Sequence, residues 1–131
     1  MPFMPDFYPI RVLVVDDNDH LCTSLTIALE LYDNLQVIGE ARNGQEAIRL
    51  CGELRPDVVL MDLLMPVMDG ATAAKRIAAE HPHISIIALT SAMDIQLVDA
   101  AMKAGIYLCL FKNISIETLA SAIQSARQTA A

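Results

Sequence analysis

The sequence predicts an α/β fold: one five-stranded parallel sheet of order 2-1-3-4-5, doubly wound as (βα)5, with helices on both faces. Short apolar runs alternate with longer amphipathic segments from residue 10 onward. The runs are rich in Val, Ile and Leu with little polar alternation, as in strands covered on both sides. Behind a Pro-rich arm over residues 1–9, residues 10–131 hold five βα units of about 24 residues each. Right-handed crossovers assemble such units into a parallel sheet.

The elements follow in order. Ile10–Val15 is the first strand, and Leu21, Leu25 and Leu29 mark the first helix by their i, i+4, i+8 spacing. Leu35–Ile38 is the second strand, after which Asn43-Gly44 turns the chain. Val58–Met61 is the third strand, and His81-Pro82 closes the helix behind it. Ile84–Leu89 is the fourth. Ile95, Val98 and Met102 outline the apolar face of the next helix, with Gly105 at its C-cap. Tyr107–Phe111 is the last strand. Ser115 then caps a helix whose stripe is Ile116, Leu119 and Ile123.

Composition narrows the function classes. Apolar residues are 54% and charged residues 19%, with 5 Gly and 6 Pro, which excludes a disordered or collagen-like chain. A domain of this length buries roughly two-thirds of its unfolded surface and needs no staples. The net charge of -7, with basic residues scattered along the chain, argues against direct nucleic-acid binding. Cys22, Cys51 and Cys109 lie far apart without metal or redox spacing, and read as small apolar core residues in a reducing compartment. The N-terminus has no basic residue before Arg11 and is broken by Pro2, Pro5 and Pro9, unlike a signal peptide or anchor. No apolar run approaches the roughly 18 residues of a membrane span. A cytoplasmic location is expected.

The chemistry gathers at strand ends. Asp16 and Asp17 close the first strand, and Asp62 closes the third. In an open α/β sheet, ligands sit outside the carboxyl ends of the strands where strand order reverses, here between strands one and three. Two carboxylates 4 Å apart repel by about 4 kcal/mol at an effective dielectric of 20, so a hard divalent cation is the natural counter-charge. Mg2+ takes one or two carboxylates, waters and a phosphate oxygen. Thr90 brings a hydroxyl to the end of strand four and Lys112 an ammonium to the end of strand five. Three acids, a hydroxyl and a lysine suit a phosphoryl group bridged by Mg2+, and a carboxylate can itself be the nucleophile.

Val14-Val15-Asp16-Asp17, Pro56–Gly70 (PDVVLMDLLMPVMDG), Ala88–Ala92 (ALTSA) and Lys103–Asn113 (KAG, then YLCLFKN) together resemble the receiver domain of bacterial two-component response regulators, over residues 10 to about 129. The resemblance implies a flavodoxin-like fold in which Asp62 accepts a phosphoryl group from a sensor histidine kinase or phosphotransfer protein. It further implies that Asp16, Asp17, Asp62 and the backbone carbonyl of Leu64 hold Mg2+. Thr90 would hydrogen-bond the phosphoryl oxygens, and Lys112 would pair with them. Such a domain assists its own phosphorylation and dephosphorylation without being an enzyme in the usual sense. Met65-Pro66 stiffens the loop after Asp62, Met65 and Met68 plug apolar gaps, and Asp69-Gly70 opens the third helix with an N-cap and a permissive backbone. His20, beside the acids, reads as a solvated helix residue, and His81 and His83 as surface residues at a helix end.

Four positions depart from the family's pattern. The switch aromatic, three residues before the lysine, falls on Cys109; Tyr107 then points to the opposite sheet face or lies outside the strand, and a weaker or differently transmitted switch is expected. Asn113 replaces the common proline, so a trans bond is expected at 112–113, a cis non-proline bond costing about 3–4 kcal/mol. Leu64 puts an apolar side chain where a polar one would help attacking water, which should slow hydrolysis of the phosphoryl-aspartate. Ser91 follows Thr90 where smaller residues are common, a minor change.

Gly39–Ile48 and Lys112–Ile123 resemble receivers of helix-turn-helix transcription regulators. The chain ends without a basic recognition helix, as a standalone regulator or the regulatory part of a longer one. A homodimer through helices one and five, or four and five, stays open. Two other classes fit less well. A haloacid-dehalogenase-type enzyme wants an aspartate where Leu64 stands, and an FMN binder wants a phosphate cradle where Asp16-Asp17-Asn18-Asp19 would repel phosphate. The stronger rival is a phosphorylation-independent pseudo-receiver acting as a protein-binding module, since Cys109 breaks the switch.

Overall fold

The computed structural model describes residues 8–91 and 94–129; most of the N-terminal arm, Ala92 of the ALTSA motif and the last two residues lie outside the described residues. The strands are β1 (Ile10–Val15), β2 (Leu35–Ala41), β3 (Val58–Asp62), β4 (Ser85–Thr90) and β5 (Leu108–Phe111). They alternate with α1 (Asp19–Leu29), α2 (Gly44–Leu54), α3 (Gly70–Glu80), α4 (Ile95–Lys103) and α5 (Ile116–Thr129). All pairings are parallel and the order is β2-β1-β3-β4-β5, as predicted. β1 and β3 are therefore neighbours although α1, β2 and α2 separate them in sequence. That crossing point is the switch in strand order.

Alternate residues of the central strands enter opposite core layers, which is why the strands read as unbroken apolar runs. Leu13, Val15, Met61, Ile86 and Ala88 pack under α2, α3 and α4 with Ala47, Ala73, Ile77 and Ala101. Val12, Val14, Leu60, Ile87 and Leu89 pack under α1 and α5 with Cys22, Leu29, Leu119 and Ile123. Each fully buried large aliphatic side chain contributes roughly 1.5–3 kcal/mol. Cys22 and Cys51 are core residues, and Cys109 is half-buried. Burial lifts the Cys22 and Cys51 thiols to about 11 and about 12, so both stay protonated and inert near neutrality.

The caps expected from sequence form, at helix N-termini that the βα connections bring to the carboxyl edge of the sheet. Asp69 accepts from the Thr72 amide at 2.8 Å, and Ser115 from the Thr118 amide at 3.1 Å. Asn43-Gly44 is less a turn than a helix start: Asn43 caps α2 by accepting from the Glu46 amide at 2.8 Å. Gly105, with φ 100°, follows the capping residue Ala104 and closes α4 with a paired C-terminal motif. Its amide reaches Met102 O at 3.1 Å and the next amide, Ile106, reaches Ala101 O at 3.2 Å.

α4 is rotated from the face predicted for it. Ile95 (86% exposed) and Met102 (46%) point outward, while Leu97 packs on the core and Ala101 is fully buried. The C-terminal motif explains the rotation, because it seats Ile106 and Ala101 together in the core and leaves the larger stripe outside. Tyr107 precedes β5 and is partly exposed. It stands two residues from Cys109, so the side-chain period of 2 rules out opposite faces, and lying outside the strand is the correct alternative. There is no cis peptide bond among the described residues, and the 112–113 bond is trans as expected.

Candidate functional site

β1 and β3 run side by side until Val15 pairs with Met61, and the next residue on each chain is an aspartate. Asp16 and Asp62 are buried, 3% and 4% exposed, and Asp17 beside them is exposed. One carboxylate oxygen from each of the three lies within 4.8 Å of the others. At that separation each pair repels by about 3.5 kcal/mol at an effective dielectric of 20. The Lys112 ammonium, directly after β5, answers part of this charge, 2.8 Å from Asp16 Oδ2 and 3.3 Å from Asp62 Oδ2. Thr90 ends β4 fully buried, and its carbonyl accepts from the Lys112 amide at 3.0 Å, which ties the last two strand ends together.

The loop after Asp62 is shaped around that carboxylate. The Leu64 amide donates to Asp62 Oδ1 at 3.2 Å, and the Leu64 side chain is exposed. Met65 and Met68 pack on the core, as expected. Between them the Met68 amide closes a tight turn on Pro66 O at 2.8 Å, with Val67 at φ 70°. That hand is strained for a β-branched residue by roughly 1–2 kcal/mol. Gly70 then starts α3, and permissive torsions are not the reason for glycine. Its φ is not positive; a Cβ there would stand 2.3 Å from Asp62 O and 2.8 Å from Leu63 Cα. The N-terminus of α3 presses on the peptide that carries Asp62.

Electrostatics leaves the cluster short of positive charge. Burial, then the negative charge of Asp16, raises the Asp62 carboxyl above its ordinary range; the Leu64 amide and Lys112 pull it down without cancelling the rise. Burial works to lower the Lys112 ammonium, but Asp16 and Asp62 outweigh it and hold the group above the usual lysine value. An acid whose folded pKa is raised carries no penalty below its unfolded value, near 3.8, and the full penalty above its folded one. Asp62→Asn is therefore expected to raise the melting temperature of the metal-free protein at pH 7 by a few degrees and to leave it unchanged at pH 3. Melting curves at the two pH values check this, and a lower melting temperature in the variant at pH 7 contradicts it.

Residues 12–124 match the response regulator receiver domain. The chain belongs to this family. It is 43% identical over 117 residues to the transcriptional regulatory protein LiaR of Bacillus subtilis, a match covering 89% of this chain and 56% of LiaR. Among solved structures it resembles the signal receiver domain of the putative response regulator NarL from Mycobacterium tuberculosis, at 27% identity and TM-score 0.89, covering 93% and 98% of the two chains. A CheX–CheY–BeF3–Mg complex from Borrelia burgdorferi gives 25% identity and TM-score 0.82, covering 90% and 89%. The chain spans about half the length of the curated relatives it matches.

Of the residues singled out in this receiver from sequence, Asp16, Asp17, Asp62 and Lys112 converge, Thr90 adjoins through the Lys112 backbone, and Leu64 contacts Asp62 through its amide. Cys109 stands apart, paired with Ala88, whereas the residue opposite Thr90 is Phe111, 44% exposed. Phe111 went unremarked because the β4–β5 register is not written in the sequence. Arg42 was also missed; GEARNGQEAI shows it only as the residue before a cap. No helix among the described residues is long and apolar enough to cross a membrane.

Proposed function

We propose that this receiver is the phosphoacceptor of a phosphorelay, residues 10–131 forming the unit behind the arm 1–9, with Asp62 taking the phosphoryl group. The observation that carries this is the crowding of Asp62 with Asp16 and Asp17 against a single ammonium, Lys112. In the transfer, an Asp62 carboxylate oxygen attacks the phosphorus of a phosphohistidine on a histidine kinase or phosphotransfer protein. The P–N bond breaks, its electron pair stays on the imidazole nitrogen, which takes a proton from solvent, and an acyl phosphate remains. Lys112 offsets the added charge of about −1.5 to −2, and the Thr90 hydroxyl donates to a phosphoryl oxygen. The all-oxygen donor set and its excess negative charge fit Mg2+, held by Asp16, Asp17, Asp62 and the Leu64 carbonyl. Held by these residues, the ion would supply a hard dication that offsets the charge of the carboxylates and of the phosphoryl group.

The domain assists its own phosphorylation and dephosphorylation rather than turning over a substrate, and Leu64 slows the hydrolytic step. Phe111, on the same sheet face as Thr90, is the aromatic placed to feel that residue in place of Cys109. The relatives named as transcriptional regulatory proteins support a role as the regulatory part of such a protein, and a cytoplasmic location and a homodimer as one output complete this reading. The pseudo-receiver reading has no observation in its favour. Intact mass after incubation with Mg2+ and acetyl phosphate tests the proposal. One base-labile phosphoryl is expected on the unmodified chain and none on Asp62→Ala; equal gain by both, or gain by neither, overturns it.

A further inference from the structure

A second cation stands after β2, which lies across β1, β3 and β4 from β5, the strand that Lys112 follows. Arg42 directly follows β2, and its guanidinium reaches three groups. Nε donates to Asp19, the first residue of α1. Nη2 donates to Glu40 of β2 at 3.1 Å, and Nη1 to Cys22 Sγ at 3.5 Å. The Cys22 thiol, fully buried, donates in turn to the Asp16 carbonyl at 3.4 Å. Glu40 is held from its other side by Thr26 of α1, whose hydroxyl donates at 2.8 Å, and the Arg42 amide donates to Glu46 of α2 at 2.8 Å. One side chain thus joins the end of β2 to the first turn of α1 and, through a thiol, to the peptide that carries Asp16.

We propose that Arg42 is a positioning residue for the divalent-cation site: it holds the Asp16–Asp17 turn in ligand geometry by pinning the first turn of α1 to β2. This rests on the reading of Asp16, Asp17 and Asp62 as that site. Asp16 has anchors of its own, its amide on Ala41 O at 3.0 Å and its carboxylate on Lys112 at 2.8 Å. Asp17 is exposed and sits between Asp16 and Asn18, whose amide donates to Asp16 Oδ1 at 2.9 Å and whose side chain caps the α1 turn that Arg42 ties to β2, so its direction follows that turn. Asp19 and Glu40, without Arg42, would add two unbalanced charges to an edge that already carries three acids. Repulsion would then swing the turn outward.

The test separates positioning from simple charge, because the two have opposite signs. Losing a cation beside a cation site tightens Mg2+ binding if only charge matters, and loosens it if Arg42 sets geometry. Amide NMR titrations with Mg2+ on the full chain, for the unmodified protein, Arg42→Met and Arg42→Lys, read this directly. The expected result is a dissociation constant raised 3- to 10-fold in Arg42→Met and by a smaller factor in Arg42→Lys, which keeps the charge but not the three-way contact. The Cys22 thiol is also expected to become reactive to a disulfide reagent in Arg42→Met. Unchanged or tighter Mg2+ binding in Arg42→Met, with or without a lower melting temperature, overturns the proposal. If the unmodified chain binds no Mg2+, the cation-site reading itself falls and takes this one with it.

Discussion

Lys112→Met is expected to destabilise the metal-free protein by about 2–3 kcal/mol at pH 7, lowering its melting temperature by roughly 6–12 °C. The ammonium lies 2.8 Å from Asp16 and 3.3 Å from Asp62, two carboxylates that are almost wholly buried. Removing it leaves both without a counter-charge in a site that excludes most water. The loss is set at or below the roughly 3–5 kcal/mol that breaking a buried pair costs, because the Lys112 side chain remains 23% exposed. The pH dependence has a definite sign. A lysine with a raised folded pKa contributes its stability fully below the unfolded value, near 10.5, and loses it as pH rises through the folded one. On the acid side the difference between variant and parent shrinks as Asp62 protonates. Mg2+ is expected to recover more stability in the variant than in the parent. Thermal melts at pH 7 with and without Mg2+ measure both effects, and a variant melting within 1 °C of the parent would contradict the electrostatic account.

Gly70→Ala is the second large effect. A Cβ at this position meets Asp62 O at 2.3 Å and Leu63 Cα at 2.8 Å, both backbone atoms that cannot rotate away. The chain must move either α3 or the peptide carrying Asp62. The expected cost is about 3 kcal/mol or more, with a phosphorylation rate reduced at least tenfold because relief displaces Asp62, the proposed acceptor. Gly52→Ala is the control: a Cβ there meets nothing within 4 Å, and alanine in the α2 interior adds up to about 1 kcal/mol of stability. Denaturant melts and a phosphorylation time course on both variants check the pair. Gly70→Ala matching the parent in both would show that α3 does not brace Asp62.

What was legible in the sequence is what short-range chemistry determines. Buried strands announce themselves by continuous apolar runs, so Ile10–Val15 was read with its final bounds and the others to within a few residues. A parallel α/β sheet then sends its strand ends to one edge, which makes Asp16, Asp62, Thr90 and Lys112 neighbours on the sequence alone. Features that depend on how elements meet were not legible. The apolar stripe of α4 is not its buried face, because Ala101 and Ile106 set the rotation from the far end of the helix. Gly70 looked like a torsional requirement and is a steric one. Arg42 gains its meaning from Asp19 and Cys22 on another element, and Phe111 from a register that places it opposite Thr90.

The central claim is that Asp62, not a neighbouring acid, carries the phosphoryl group. Borohydride reduces an acyl phosphate on aspartate to homoserine, which marks the acceptor permanently. The protein would be phosphorylated with acetyl phosphate and Mg2+, reduced, digested and mapped by mass spectrometry. Homoserine at position 62 and nowhere else is the predicted result. Homoserine at Asp16 or Asp17, or a phosphoryl group retained on His20, would contradict it.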